Sequence, residues 1–240
     1  MGKPIDHYDL IARIFEYPLE DLRDKVSAVQ AQLDARYPSA GEMLRPFSRF
    51  VSGASVLEME ELFVRSFDVQ AVTTLDIGYV LFGDDYKRGE LLVNLNREHK
   101  AVDNDCFNEL SDHLPNILRL LPKMQDEAII HELVEKVLGP ALKKMIHEFE
   151  TDRIKAKEKS YKKHYKTLID RSQTSYTVYQ STLKALYEIM KQDFDFAEPV
   201  LQNEKSSDFL KSINTEMATE SGEMLQKARE NLERTRSPHN

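Results

Sequence analysis

Cysteine, tryptophan, glycine and long apolar runs are all scarce in this chain, and each scarcity narrows what it can be. Cys106 is the only cysteine among 240 residues. An internal disulfide and a metal site built from several thiolates are therefore excluded, and a reducing compartment is the simplest setting. The 8 glycines and 9 prolines leave little turn material for a strand-rich fold. No apolar run approaches the roughly 18 residues of a membrane span. The opening Met1-Gly2-Lys3-Pro4-Ile5-Asp6-His7 lacks the charged-then-apolar layout of a secretory signal, so a cytoplasmic location is expected.

What the chain does have is a helical composition. Apolar residues make up 41% and charged residues 31%, enough for a real core under a solvated surface. The formal charge of −8 is uneven. Residues 1–150 carry 17 Lys+Arg against 27 Asp+Glu, whereas the last 90 carry 16 against 14. An acidic front portion disfavours nucleic acid, whose phosphates need a basic surface, and suits a basic peptide.

Periodicity places a run of helices along the chain. Leu10, Ile11, Ile14 and Phe15 share one face of an opening helix that Pro18 ends, and Leu22, Val26, Val29 and Leu33 mark a second that stops before Pro38. A third spans 41–51. Ser55 and Glu58 have capping-box spacing and open a helix with Leu62, Phe63 and Phe67. The apolar stretch 74–82 has strand-like residues but no obvious partner strand, and it is read as a buried helix. Helices follow over 88–102, from Asp112, and from Asp126, with Gly139-Pro140 closing one helix and starting the next. Residues 151–166 are lysine-rich, with Lys155, Lys157, Lys159, Lys162, Lys163 and Lys166 on a solvated face or a basic patch. A stripe from Leu168 to Met190 is again helical. The expected organisation is an all-α single domain over 1–192 and a polar tail over 193–240, with an amphipathic helix at 220–234.

Catalytic and metal patterns are missing. There is no Glu-x-x-His pair of the di-iron kind, and the run His131-Glu132-Leu133-Val134-Glu135 puts Glu135 where a zinc protease needs its second histidine. Glycine-rich phosphate loops and serine elbows are also absent. Cys106 has His99 and His113 near it in sequence, but a small, partly buried residue beside a loop is the plainer reading. No enzyme, metal or cofactor is expected.

Three blocks in register resemble one family. Glu61-Leu62-Phe63-Val64-Arg65-Ser66-Phe67-Asp68 is similar to its segment ending in Ser or Thr followed by Phe-Asp. Residues 81–95, Leu81-Phe82-Gly83-Asp84-Asp85-Tyr86-Lys87-Arg88-Gly89-Glu90-Leu91-Leu92-Val93-Asn94-Leu95, are similar to its glycine-acid turn with a following Arg-Gly. Asn108-Glu109-Leu110-Ser111-Asp112-His113-Leu114-Pro115 is similar to its E-L-P-D-H-L-P turn, with Ser111 standing where that turn often has proline. The chain thus resembles the nitrate reductase delta-subunit type of molybdenum cofactor assembly chaperones, in the NarJ/TorD/DmsD group, over about residues 8–150.

The resemblance implies an all-helical bundle without a cofactor of its own, monomeric or dimeric. It also implies binding to the N-terminal or twin-arginine-type segment of an apo molybdoenzyme catalytic subunit until the molybdenum cofactor is inserted. The alternative is a helical regulatory protein of the same fold with another client. Asp112 and His113 match the family's peptide-contact turn. Asp112 is expected either to pair with a client's Arg or Lys, reinforced by Glu109, or to cap the helix entered through Leu114-Pro115. Arg88 with Asp84 or Asp85 either fixes the Gly83 loop beside the groove or forms a surface salt bridge. Asp68 either caps the segment after Phe67 or holds Arg88. Phe67, Tyr79 and Phe82 are groove walls or core aromatics.

Overall fold

The computed structural model describes residues 5–69, 71–150, 153–154 and 178–196. Among these residues the secondary structure is helical, and the sole extended pairing is an isolated antiparallel bridge between Asp76 and His113. The lysine-rich residues from 155 to 166, the stripe residues Leu168, Ile169 and Tyr176, and the helix expected at 220–234 lie outside the described residues.

The chain enters through α1, His7–Ala12, which tightens into a 3-10 turn over Arg13–Phe15 before Pro18. Two long helices follow, α2 over Leu22–Arg36 and α3 over Pro38–Gly53. Pro38 sits at the first turn of α3, where its missing N–H costs nothing, so the helix starts three residues earlier than periodicity alone placed it. The Ser55–Glu58 capping box forms as expected and starts α4, Val56–Phe67.

The apolar stretch 74–82 behaves differently from its sequence reading. Residues 74–76 are not helical, with a bend at Leu75 and an extended Asp76, and only Ile77–Phe82 is helical, forming α5. Extended backbone is required there because Ile77 N–H donates to Asp112 O at 2.9 Å and Leu114 N–H donates to Leu75 O at 2.8 Å. Gly83 ends α5 with a φ of +63°, a left-handed conformation that glycine adopts without a Cβ penalty. Asp85 then caps α6, Tyr86–Ala101, through Lys87 N–H.

Helix α7 covers Leu114–Leu120, and α8 covers Glu127–Leu133 with Asp126 accepting from Ala128 and Ile129 N–H. Gly139-Pro140 does not break the chain into two helices. A π turn over Val134–Leu138 carries it directly into α9, Gly139–Glu148, with Gly139 N–H bonded to Val134 O five residues back. Pro140 lacks an N–H, and a widened turn accommodates that loss without a kinked end. Helix α10, Val178–Phe194, packs on α3 and α9.

The core gathers around Tyr179 on α10, which is 1% exposed. Its ring lies 4.7 Å from that of Phe67, 5.0 Å from Phe47 and 6.1 Å from Phe63. One aromatic thus joins α3, α4 and α10, and burying each such side chain contributes about 1.5–3 kcal/mol. Asp193 and Phe194 lie past the expected domain limit at 192, yet both are packed. Asp193 accepts from Tyr8 OH at 3.0 Å and Tyr37 OH at 2.7 Å, and pairs with His7 Nε2 at 2.8 Å. No helix among the described residues is long and apolar enough to cross a membrane.

Candidate functional site

The bridge between Asp76 and His113 places a short ion-pair chain between α5, α6 and α7. His113 Nδ1 lies 3.2 Å from Asp76 Oδ1, and Arg88 Nη2 lies 3.0 Å from Asp76 Oδ2. Arg88 Nε donates to Asp112 Oδ2 at 2.9 Å, and Gly78 N–H donates to the same oxygen at 3.2 Å. The His113 hydrogen bond, followed by the Arg88 charge, holds the Asp76 carboxyl below its ordinary range. Burial pulls the Arg88 guanidinium down, but Asp112 and then Asp76 outweigh it and hold the group above its ordinary value. The charged forms of Asp76 and Arg88 are thereby favoured, with Arg88 shared between two carboxylates.

Asp112 corrects two expectations. Its side chain is fully buried, so it does not reach a ligand. Nor does it cap α7, whose N-cap is His113 without a side-chain bond. Its carboxylate instead satisfies an orphan N–H at the start of α5 while neutralising Arg88. Arg88, whose side chain is 16% exposed, shares its charge between this carboxylate and that of Asp76.

On the solvent side of this chain lies a cleft of about 460 Å³ between α4 and α7. Its walls include Phe63, Phe67 and Asp68 from α4 and its end, and His113, Pro115 and Arg119 from α7 and its cap. The loop before α7 adds Glu109 and Phe107, and the turn after α1 adds Glu16 and Tyr17. Tyr17 stands edge-on to Phe63 at 5.6 Å, and Phe63 edge-on to Phe67 at 5.5 Å. The aromatic lining is continuous from the α1 end to the Asp68 end.

The loop 102–113 is held from beneath by two asparagines. Asn104 Nδ2 donates to Asn116 O at 3.1 Å and lies 2.8 Å from His99 Nδ1. Asn116 Nδ2 donates to Leu110 O at 2.9 Å and Cys106 O at 3.3 Å. Above this base Phe107 is 73% exposed with a φ of +53°, a costly conformation for a bulky residue. The Arg119 guanidinium lies 5.6 Å from its ring centroid. Arg119 also pairs with Glu16 and donates to Asn116 Oδ1 at 2.7 Å.

The other expected site residues divide as follows. Glu109, His113, Pro115, Phe67 and Asp68 come together in the cleft. Arg88 stands behind it through Asp76, and Asp68 does not hold Arg88, whose carboxylates are Asp76 and Asp112. Tyr79 is 45% exposed, lies 5.4 Å from the Arg88 guanidinium, and lines a second cleft of about 870 Å³ with Phe67, Asp68 and Lys144. Phe82 and Asp84 line neither cleft. Asp85 caps α6 in place of a salt bridge to Arg88.

Asp76, Glu16, Tyr17, Phe107 and Arg119 were missed as site residues. They lie outside the three blocks that carry the resemblance and are brought in by the bridge and by α1 packing on α7. Burial pushes the Cys106 thiol up, and no histidine bonds to it among the described residues, so its environment favours the thiol over a nucleophilic thiolate. No group of three or more metal-ligating side chains occurs among the described residues. No family model, curated protein or solved structure matches the chain.

Proposed function

We propose that this protein is an assembly chaperone that binds the N-terminal segment of an apo molybdoenzyme catalytic subunit while its cofactor is inserted. One observation carries the reading. The three sequence blocks that resemble the family, each separated from the next by 12 residues, serve one cleft. The first supplies Phe63, Phe67 and Asp68, and the third supplies Glu109, His113 and Pro115. The second supplies Arg88, which fixes the cleft wall through Asp76.

The chemistry of the cleft fits such a client. A helical peptide laid into a groove needs apolar walls for one face and charges at the rim to choose its register. Tyr17, Phe63, Phe67 and Phe107 provide the first, and the carboxylates of Asp68 and Glu109 provide the second for a basic segment. Binding and release of a peptide require no cofactor or catalytic group.

The test is co-expression of the tagged chain with the catalytic subunit encoded by a neighbouring molybdoenzyme gene, with and without that subunit's N-terminal segment. Co-purification that depends on the segment supports the reading. Capture of some other protein, with the catalytic subunit absent in both cases, would leave a helical regulatory protein of the same architecture.

A further inference from the structure

Helix α6 buries Leu91, Asn94, Leu95 and His99 and turns its opposite face outward. Tyr86, Gly89, Val93, Arg97 and Lys100 follow one another on that outer face at spacings of three and four residues, so they form a single stripe. Tyr86 is 67% exposed and Val93 56%, and none of the five lines either cleft. A Cβ added to Gly89 would meet nothing within 4 Å. Alanine is the better residue in an exposed helix interior, so packing within one chain gives no reason for glycine there. Gly89 leaves a hollow in the stripe that an outside side chain can enter.

The stripe is self-complementary about Val93. Tyr86 lies seven residues before it and Lys100 seven after; Gly89 lies four before and Arg97 four after. At about 1.5 Å per residue the outer pair stands about 10 Å to either side of Val93 and the inner pair about 6 Å. Charge divides in the same way. Asp84 and Asp85 are exposed at the start of α6, and Arg97 and Lys100 are exposed near its end.

We propose that two copies of this chain associate through α6, with the helices antiparallel and Val93 on the two-fold axis. Each residue of the stripe then meets a fitting counterpart. Tyr86 offers its ring to the Lys100 ammonium of the second copy. Arg97 of the second copy enters the hollow at Gly89, and its charge and that of Lys100 face Asp84 and Asp85. The two macrodipoles oppose one another, each positive end beside a negative one. At the centre the paired Val93 side chains are widened by Leu110, which is 50% exposed. Ser111 Oγ donates to Leu92 O at 3.2 Å and so holds that residue's neighbour beside α6. A parallel pairing would set acid against acid and base against base. The antiparallel one is isologous and closes at two copies. This association goes beyond the proposed client binding and does not rest on it, because other residues line the clefts.

Sedimentation equilibrium of the full-length chain over about 1–200 µM tests the proposal. A monomer–dimer equilibrium in the micromolar range is expected, as suits an interface near or below about 1,200 Å². Val93→Arg sets two like charges on the axis and is expected to raise the dissociation constant at least about a hundredfold. Asp84→Lys and Lys100→Glu each create two like-charge pairs across the interface and are expected to weaken it about tenfold. Mixed one to one, these two variants should regain most of the affinity, because both pairs in the mixed dimer are opposite in sign. A variant that merely folds badly would not be rescued by mixing.

Gly89→Gln should raise the melting temperature of the dilute chain yet weaken the dimer, two effects of opposite sign from one residue. A chain that stays monomeric throughout overturns the proposal and leaves the stripe to a different protein. A dimer indifferent to Val93→Arg, or a mixture of the charge variants no tighter than either alone, overturns it as well.

Discussion

At the scale of single residues, Asp112 shows how a site-like motif can be consumed by the fold. The turn Ser111-Asp112-His113 presents one residue to each side of a bridge: Asp112 goes inward to Arg88 and Gly78 N–H, and His113 goes outward to the cleft. Asp112→Ala would leave Arg88 with Asp76 as its one carboxylate and uncap α5. We expect a loss of about 3–5 kcal/mol in urea unfolding, the usual cost of breaking a buried pair. A loss under 1 kcal/mol would mean that Asp76 alone satisfies Arg88.

The same scale sets the pH dependence. Burial holds the His99 imidazole below its ordinary value, with Nε2 3.1 Å from Ser111 O and Nδ1 against the Asn104 amide. The unfolded chain then takes up the proton first, so stability is present above about pH 6.5 and declines as pH falls below it. Burial pushes the Asp193 carboxyl up, but hydrogen bonds from His7, Tyr37 and Tyr8 outweigh it and hold the group below its usual range. Asp76 is held low as well, by His113 and then Arg88. Both carboxylates contribute stability above about pH 4 that is lost as pH falls through their lowered values. Asp193→Asn should therefore lower stability at neutral pH and flatten the loss below about pH 4. An unaltered acid limb in urea titrations would contradict that assignment.

At the scale of elements, helix starts were largely legible because their signals are local. Ser55 with Glu58, and Asp126, each act through neighbours within three residues, whereas Pro38 reads as the stop of α2 and its place at the start of α3 was missed. The stretch 74–82 was not, because its first half is fixed by a partner nearly forty residues away. Nothing in Thr74-Leu75-Asp76 announces that Leu75 O will accept from Leu114 N–H. The π turn at Val134–Leu138 was hidden for a related reason, since Gly-Pro reads as a stop unless the packing of both flanking helices is known.

Gly78 tests the junction of these elements. A Cβ added there would meet Asp112 Oδ2 at 2.7 Å, Arg88 Cγ at 3.1 Å and Leu91 Cδ2 at 3.2 Å. Alanine favours helix at most positions, yet Gly78→Ala should destabilise by about 1–3 kcal/mol, as overpacking of a filled site does. A stabilising effect would show that α5 and α6 can separate cheaply.

At the scale of the whole molecule, the chain builds a helical body whose acidic, aromatic cleft is assembled from four separate stretches. The turn 109–115 and the α4 end were legible as candidates from sequence blocks. The α1 contribution, Glu16 and Tyr17, was not, because it depends on α1 packing against α7. The charge of the front portion was informative in the same way. Its excess of acid points the proposed partner toward a basic segment, and the cleft between α4 and α7 carries the carboxylates of Asp68 and Glu109.

The most direct measurement is a fluorescence anisotropy titration of the labelled N-terminal peptide of the catalytic subunit against three folded proteins. These are the unaltered chain, Glu109→Gln with His113→Ala, and Lys144→Ala in the second cleft as a control. The account predicts saturable binding to the unaltered chain and the control, weakened at least about tenfold by the double substitution, which removes the Glu109 rim carboxylate and the His113 ring that lines the cleft. Equal affinity for all three, or loss only with Lys144→Ala, would contradict the cleft between α4 and α7 as the client site.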